Sequence, residues 1–397
     1  MRILTVHNYY GQYAPGGEGN VFEAETRLLK AHGHQVASYT RTNAELMRLG
    51  LAGRLRLAWN SAWSRQAYRA VQAEIRRFGP DLMHVHNTWM MLSPSIFAAA
   101  KELGVATVLT AHNYRLACPT GQFLRNGRVC EDCLGKRPWR AVVHRCYRDS
   151  ILASWLVYRM SQTNRQRGTF RRDVDAIIAL TGFAKEKLAA AGIPHGRIHV
   201  KPNFIEDPLE GRKPSPAGDG AVFIGRLSKE KGLSILLAAW AGIDYPLTVV
   251  GDGPLRQELE AAAPPNVRFL GWVDRKDVLG LVAQAGFAVL PSQWYEGFPC
   301  TLVECMAMGR AVVASRLGAM AEIVADGRTG LLFEPGDPGD LRAKVESLIH
   351  QDGSAERMGH QARKDYLENY TAEKNYETLM SIYRSAAGGG RLAREVA

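Results

Sequence analysis

Ala221-Val222-Phe223-Ile224-Gly225-Arg226-Leu227-Ser228-Lys229-Glu230-Lys231-Gly232 passes from a short apolar run, through a basic loop, into the apolar stretch Ser234–Ala241. That succession reads strand, loop, helix. The run is apolar at consecutive positions, as expected of a parallel strand covered on both faces. Similar runs recur at Arg2–Val6, Gln35–Tyr39, Leu82–His86, Ala106–Thr110, Ala176–Leu180 and Ile198–Lys201 on one side of it. On the other side they are Leu247–Val250, Val267–Leu270, Phe287–Leu290, Ala311–Ala314 and Gly330–Phe333. Helical stretches such as Gly19–His32 and Leu302–Met308 lie between them. Alternation of this kind implies βαβ units and a doubly wound sheet. It happens twice, on either side of the Pro- and Gly-rich stretch Asp207–Gly220. The fold class is therefore α/β, with two Rossmann-like doubly wound domains facing each other across a cleft. Ala355–Ala386 is helical in pattern, and Gly388-Gly389-Gly390 reads as the start of a loose tail.

Composition agrees with this. A chain of 397 residues, 46% of them hydrophobic, is long enough for two domains or three with their own cores. No apolar run approaches the roughly 18 residues of a spanning helix. Met1-Arg2-Ile3-Leu4-Thr5-Val6-His7 reads directly as a strand, not as a signal peptide, so a cytoplasmic location is expected. The 50 Lys and Arg exceed the 39 Asp and Glu by 11. Residues 115–172 hold 13 bases and three acids, and residues 41–77 hold eight Arg and two Glu. The remaining sequence is net acidic. A basic first half asks for an anionic partner: membrane, nucleic acid or a phosphorylated substrate.

Ligands of open α/β sheets bind at the carboxyl ends of strands, so chemistry belongs in the loops that follow them. Pro15-Gly16-Gly17-Glu18-Gly19 follows the first strand and opens a helix, either as an anion cradle of backbone amides or as a plain tight turn. Arg226 and Lys231, five positions apart, suit a diphosphate clamped from two sides. Glu296-Gly297-Phe298-Pro299-Cys300-Thr301-Leu302-Val303-Glu304 follows the strand ending at Leu290. Its two carboxylates suit hydrogen bonds to the vicinal hydroxyls of a sugar or a ribose. Asp173-Val174-Asp175 matches a metal-binding Asp-x-Asp only formally. It precedes a strand and reads as a turn.

The two glutamates separated by seven residues resemble the signature of retaining glycosyltransferases of family 4, whose architecture is GT-B. The Gly225–Gly232 loop, Gly16-Gly17, Val250-Gly251-Asp252-Gly253-Pro254 and Pro202-Asn203 are similar to that family's elements in order and spacing. The resemblance implies a hexosyltransferase that uses a nucleotide-diphosphate sugar, UDP or GDP, with retention and with no catalytic metal or other catalytic cofactor. It implies that Arg226 and Lys231 hold the donor's diphosphate, and that Glu304 binds the ribose. Glu296, with Gly297, Phe298, Pro299, Cys300 and Thr301, would hold the transferred sugar and the phosphates. Gly271, Trp272 and Val273 would lie beside the base, Asn203 would join the donor site, and Gly16 and Gly17 would let a loop close over the diphosphate. Many relatives carry His then Asp where His112-Asn113 stands, so His112 is expected to contact the donor sugar and leaving phosphate. His112, Glu296, Arg226 and Lys231 form the expected catalytic set. Front-face attack lets the leaving diphosphate act as base, so no protein nucleophile is required. His84 and His86 read as structural. By the same resemblance the acceptor side is residues 1–203, the donor side is 204–373, and a last helix at about 374–390 crosses back.

Two features lie outside that set. Cys118, Cys130, Cys133 and Cys146 gather in the basic insertion and suit a structural four-thiolate zinc site, with His144 as an alternative ligand. Unliganded thiols, a disulfide or an iron–sulfur centre are the competing readings. Leu46, Leu49, Leu55, Trp59 and Trp63 among arginines, and Ile151–Tyr158 with Trp155, suit either an anionic membrane interface or ordinary packed helices. With a family whose acceptors are often lipid diphosphates, they lead to a peripheral enzyme on the inner face of the cytoplasmic membrane. Its acceptor would be a polyprenyl-diphosphate-linked saccharide in cell-surface polysaccharide assembly. A GT-B sugar-nucleotide epimerase and a basic zinc-containing nucleic-acid-binding protein are the rival readings. The second leaves the ordered motifs after residue 220 unexplained, and no nucleic-acid motif appears, so no nucleic-acid partner is expected.

Overall fold

The computed structural model describes residues 1–11 and 17–395. It divides into two compact units: Met1–Phe123, Glu131–Pro202 and Asn375–Ala397 form one, and Leu124–Cys130 with Asn203–Lys374 form the other. The strands in chain order are β1 (Arg2–Tyr9), β2 (Gln35–Thr42), β3 (Leu82–Val85) and β4 (Ala106–Ala111). A small hairpin follows, β5 (Leu124–Arg125) and β6 (Arg128–Val129), then β7 (Ala176–Ala179) and β8 (Ile198–Val200). The second set is β9 (Ala221–Ile224), β10 (Leu247–Val250), β11 (Val267–Gly271), β12 (Phe287–Leu290), β13 (Ala311–Ser315) and β14 (Gly330–Phe333).

Each unit holds a six-stranded sheet, with orders β2-β1-β3-β4-β7-β8 and β11-β10-β9-β12-β13-β14. All neighbours in both are parallel. The twelve runs read from the sequence are the twelve strands of these sheets. β7 and β12 are buried at every position, which explains their unbroken apolar sequences, and β3 is buried throughout as well although it carries His84. Each sheet reverses its direction of growth once, between β1 and β3 and between β9 and β12. Those two reversals are the switch points where such sheets bind ligands.

Three local outcomes differ from the sequence reading. The hairpin β5–β6 is additional, and its turn residues Asn126 and Gly127 both have positive φ, 52° and 75°, as a two-residue primed turn requires. The helical stretch from Ala355 breaks into Ser354–Asn369 and Ala372–Glu395. The last helix runs on through Gly388–Gly390 where a loose tail was expected. Extending a helix already fixed by packing costs little compared with nucleating one. That packing is substantial: Leu379, Met380, Ile382, Tyr383 and Ala386 join Ile3, Leu29, Leu82, Val108 and Ile178 in one core. Asp173-Val174-Asp175 is a turn and strand lead-in. Asp175 accepts from the Thr107 amide at 2.9 Å and pairs with Lys101 at 3.1 Å. No helix among the described residues is long and apolar enough to cross a membrane.

The two aromatic–basic segments pack on each other. Helices Leu51–Asn60 and Arg65–Phe78 cover the first segment, and helix Ile151–Arg167 is the core of the second. Trp59 and Trp155 lie 6.0 Å apart, Arg159 sits 3.6 Å over the Trp59 ring, and Arg167 sits 4.0 Å over Trp63. Asn164 donates to the Ala62 carbonyl at 3.1 Å. The Leu55 side chain lies outside the described residues.

Candidate active site

In the second unit the loop after β9 carries Arg226 and Lys231, and the loop after β12 carries Glu296 and leads into helix Cys300–Ala307 with Glu304. Because β9 and β12 are neighbours, the two loops flank the switch point. Glycine is what lets them approach. Gly232 has φ 71°, and a Cβ there would fall 1.9 Å from the Pro291 carbonyl oxygen. The Gln293 amide also donates to the Glu230 carbonyl at 2.8 Å.

Lys231 Nζ lies 2.7 Å from Glu296 Oε1, and the Ser292 hydroxyl donates to the same oxygen at 2.7 Å. Burial alone would raise the Glu296 pKa, but Lys231, Ser292 and Trp294 outweigh it and hold the group below its ordinary value. Glu296 is thus a standing carboxylate, fit to accept hydrogen bonds and unfit to be a general acid. Glu304 Oε1 meets Arg275 at 2.8 Å, yet burial keeps its pKa raised despite that cation. Arg226 is exposed beside them. Asn203 is buried against Cys300, whose thiol burial pushes up to about 12, so it is no thiolate nucleophile. Gly297, Phe298 and Pro299 form the loop before the helix, and Thr301 lies in its first turn. Gly271 ends β11 and accepts from the Gly251 amide at 2.7 Å, followed by Trp272, 70% exposed, and half-buried Val273.

In the first unit the switch point gathers different chemistry. Gly17 opens helix Gly17–Ala31, while Gly16 lies outside the described residues. Glu18, in the first turn of that helix, accepts from Asn113 Nδ2 at 2.8 Å and Asn87 Nδ2 at 3.3 Å. Burial raises its pKa, offset in part by Asn113 and Arg115. His112 is buried, and its Nε2 lies 3.0 Å from His86 Nδ1. His86 Nε2 in turn lies 3.4 Å from Glu25 Oε1, and Glu25 pairs with Lys201 at 2.8 Å. A carboxylate only accepts, which favours the hydrogen on His86 Nε2 and leaves His86 Nδ1 to accept from His112. Burial, with His86 beside it, holds His112 well below its ordinary pKa, so it stays neutral with Nε2–H aimed inward. Burial alone would raise the Glu25 pKa, but Lys201, His84 and His86 outweigh it and hold it well below the usual range. The His84 nitrogens meet Tyr383 at 2.7 Å and Thr110 at 2.8 Å. His86 is buried as well and touches His112.

Glu25, His84 and His86 are also the one set of three among the described residues with ligand atoms within 4.8 Å of each other. The Lys201 ammonium already neutralises that carboxylate. Cys118, Cys130, Cys133 and Cys146 are each half-buried, and none of the six cysteines is in a disulfide. Cys118 Sγ lies 3.2 Å from the Thr120 hydroxyl. Sequence reasoning missed Arg275, Glu25 and Lys201, whose partners are 29 or more positions away in the chain. It also passed over Glu18, although that residue sits inside the glycine motif.

Comparison with known proteins agrees with this geometry. Residues 15–207 match the model of Glycosyltransferase Family 4, and residues 218–351 match that of Glycosyl transferases group 1. Glycogen synthase of Mycobacterium tuberculosis is 26% identical over 98% of this chain and 96% of its own length. The D-rhamnosyltransferase WbpZ of Pseudomonas aeruginosa is 36% identical over 38% of this chain and 41% of its own. Among solved structures, Anabaena HepE in complex with UDP superposes with a TM-score of 0.69 at 18% identity, covering 97% of this chain and all of that one. The two sheets, the glutamates bracketing the second switch point and both family matches place this chain among the GT-B glycosyltransferases of the family 4 type.

Proposed function

We propose that this enzyme moves a hexose from a UDP- or GDP-sugar, with retention, to a lipid-linked saccharide bearing polyprenyl diphosphate, at the inner face of the cytoplasmic membrane. The observation that carries the donor half is the Lys231–Glu296–Ser292 cluster beside Arg226 at the β9/β12 switch point. Lys231 and Arg226 would neutralise the leaving diphosphate as charge develops on it. Glu296, already ionised, would accept from the sugar's hydroxyls, and Glu304, held by Arg275, from the ribose. With no thiolate at Cys300 and no acid at Glu296, front-face attack with the leaving phosphate as base is the route these groups favour. HepE, a neighbour in fold, has been solved with UDP, which makes UDP the first donor to try.

The acceptor half rests on surface chemistry. Trp59, Trp139, Val143, Ile151 and Leu152 are all more than half exposed on the first unit. Arg145 and Arg148, also exposed, lie between them in the chain. Aromatic and aliphatic side chains interleaved with arginine suit an anionic bilayer interface. Incubation with UDP- and GDP-hexoses and a prenyl-diphosphate saccharide, with the anomeric configuration read by NMR, tests the whole reading. Retention in a lipid-linked product supports it. Inversion, or transfer only to soluble glucan, overturns it. Zinc on the cysteines is proposed separately, although no three of their sulfurs lie within 4.8 Å of one another: one zinc per chain by elemental analysis is expected, and a metal-free folded protein would end that idea.

A further inference from the structure

The first unit contains a cavity of about 160 Å³ beyond the carboxyl ends of β3 and β4. Its walls come from the loops after those strands, the insertion at Cys133–Pro138 and helix Ile151–Arg167. Arg115, Lys136, Arg165 and Arg171 all line it, and no Asp or Glu does. Phe97, Leu109, Met160 and Phe170 supply apolar surface in the same cavity. An acid-free cationic lining over apolar surface is built for an anion that carries an apolar chain.

Arg115 is the anchor. Its guanidinium carbon lies 4.4 Å over the Trp89 ring, and its Nε and Nη1 are buried with no hydrogen-bond partner. Leaving buried donors unpaired costs about 1–3 kcal/mol, more when they are charged, so an arriving acceptor oxygen removes a standing penalty. The carboxylate that faces Arg115 is Glu18, and its oxygens are already engaged by Asn113 and Asn87. Arg165 donates to the Lys136 and Ala191 carbonyls at 2.6 and 3.2 Å, neutral partners that leave its charge uncompensated. The insertion's Glu131 and Asp132 meet other cations, Lys187 at 2.6 Å and Arg140 at 3.7 Å.

We infer that this cavity grips the diphosphate of an amphiphilic acceptor, with the anion on Arg115 and Lys136 and the first apolar segment against Phe97, Met160 and Phe170. A multiply charged head matches four cations, and a planar guanidinium fixes it through paired bonds. The inference rests on the transfer to a diphosphate-linked acceptor proposed above and says where that acceptor is held. Binding to the full chain is measured by calorimetry with UDP at saturation, so that the Arg226–Lys231 cluster is occupied. The probes are farnesyl diphosphate, inorganic pyrophosphate and farnesol. Farnesyl diphosphate is expected to bind at one site, with pyrophosphate at least about tenfold weaker and farnesol undetected. Arg115→Gln should weaken farnesyl diphosphate at least about tenfold, Arg115→Lys should restore part of it, and UDP affinity should be the same in all three proteins. Equal affinity in Arg115→Gln, or pyrophosphate binding as tightly as farnesyl diphosphate, overturns the inference. Failure of the transfer reading shows elsewhere, as no nucleotide release from any UDP- or GDP-sugar.

Discussion

The two switch points share one architecture and solve their electrostatics in opposite ways. In the second unit Lys231 faces Glu296 and Arg275 faces Glu304, so each of these cations at the site rests against a carboxylate. In the first unit Arg115 keeps two nitrogens unpaired, and its cavity has cations without acids. Paired charges pre-orient a polar site at little cost in self-repulsion, and their partners are the groups that a sugar nucleotide's hydroxyls and phosphates would meet. Unpaired cations instead hold a potential open for an anion that arrives separately. One sheet plan thus serves two ligands because loops, not strands, set the charge.

The largest expected effect tests a place where the first unit pairs its charges out of reach of water. Glu25 and Lys201 are each 1% exposed. Lys201→Met strands a buried carboxylate and should cost about 3–5 kcal/mol in urea unfolding, with Glu25→Gln in the same chain recovering part of it. Because the Glu25 pKa is depressed, its contribution is present above the ordinary carboxylate pKa and is lost only as pH falls through the lowered value. In Lys201→Met the acid loss should therefore begin at higher pH. Wild-type stability in that variant would break the contrast, because the buried pair would then contribute nothing to the first unit.

Next comes the second unit's own pair. Lys231→Ala should lower kcat by about 10²–10³, the scale of losing one charged stabiliser of a developing oxyanion. It should also cost some stability, because Glu296 is buried and loses its cation, but less than at Glu25, since Lys231 is partly exposed. A rise in KM alone would demote Lys231 to ground-state binding.

Arg275→Ala should be milder, raising the donor KM about tenfold with kcat little changed. Burial already raises the Glu304 pKa, and Arg275 opposes that. Without Arg275 the carboxylate takes a proton at higher pH, so the variant's donor affinity should fall earlier on acidification than the wild type's. Parallel pH profiles would separate Glu304 from the ribose.

How much of this could be read from the chain follows from how local each signal is. Most of the twelve strands were legible because buried parallel strands write themselves as apolar runs, and Arg226, Lys231, Glu296 and Glu304 were legible as candidates because they sit in two short stretches of chain, Gly225–Gly232 and Glu296–Glu304. Arg275 was not: it reaches Glu304 from the helix after β11, and nothing in a helix start written Asp274-Arg275-Lys276-Asp277 marks one cation of several. The His112–His86–Glu25–Lys201 chain was hidden for the same reason, since Glu25 comes from the first helix and the others from just past the ends of β4, β3 and β8. The contact of His86 with His112 is not legible either, because the sequence does not reveal that β3 and β4 lie side by side. Asn126-Gly127 is the opposite case, a hairpin signal written plainly and overlooked inside the cysteine-rich insertion.

The smallest effect bears on the cationic side of the comparison at the surface. If the first unit's excess charge is a membrane address, removing one exposed arginine beside the apolar patch should weaken vesicle binding without touching donor turnover. Arg145 is the apt choice, since it stands between Val143 and Ile151 in the chain and is exposed. Each basic residue near an anionic surface contributes about 1 kcal/mol, so Arg145→Gln should lower partitioning into phosphatidylserine-containing vesicles by about fivefold. The loss should shrink as salt rises, because screening acts within about 10 Å at 0.1 M. Trp139→Ser, which removes apolar insertion instead of charge, should lower binding by a similar factor at every salt concentration. The two substitutions thus divide the address into its electrostatic and apolar parts. Equal binding of the wild type to neutral and anionic vesicles at low salt would remove the electrostatic part. The arginines of the first unit would then be left to the cavity around Arg115 alone.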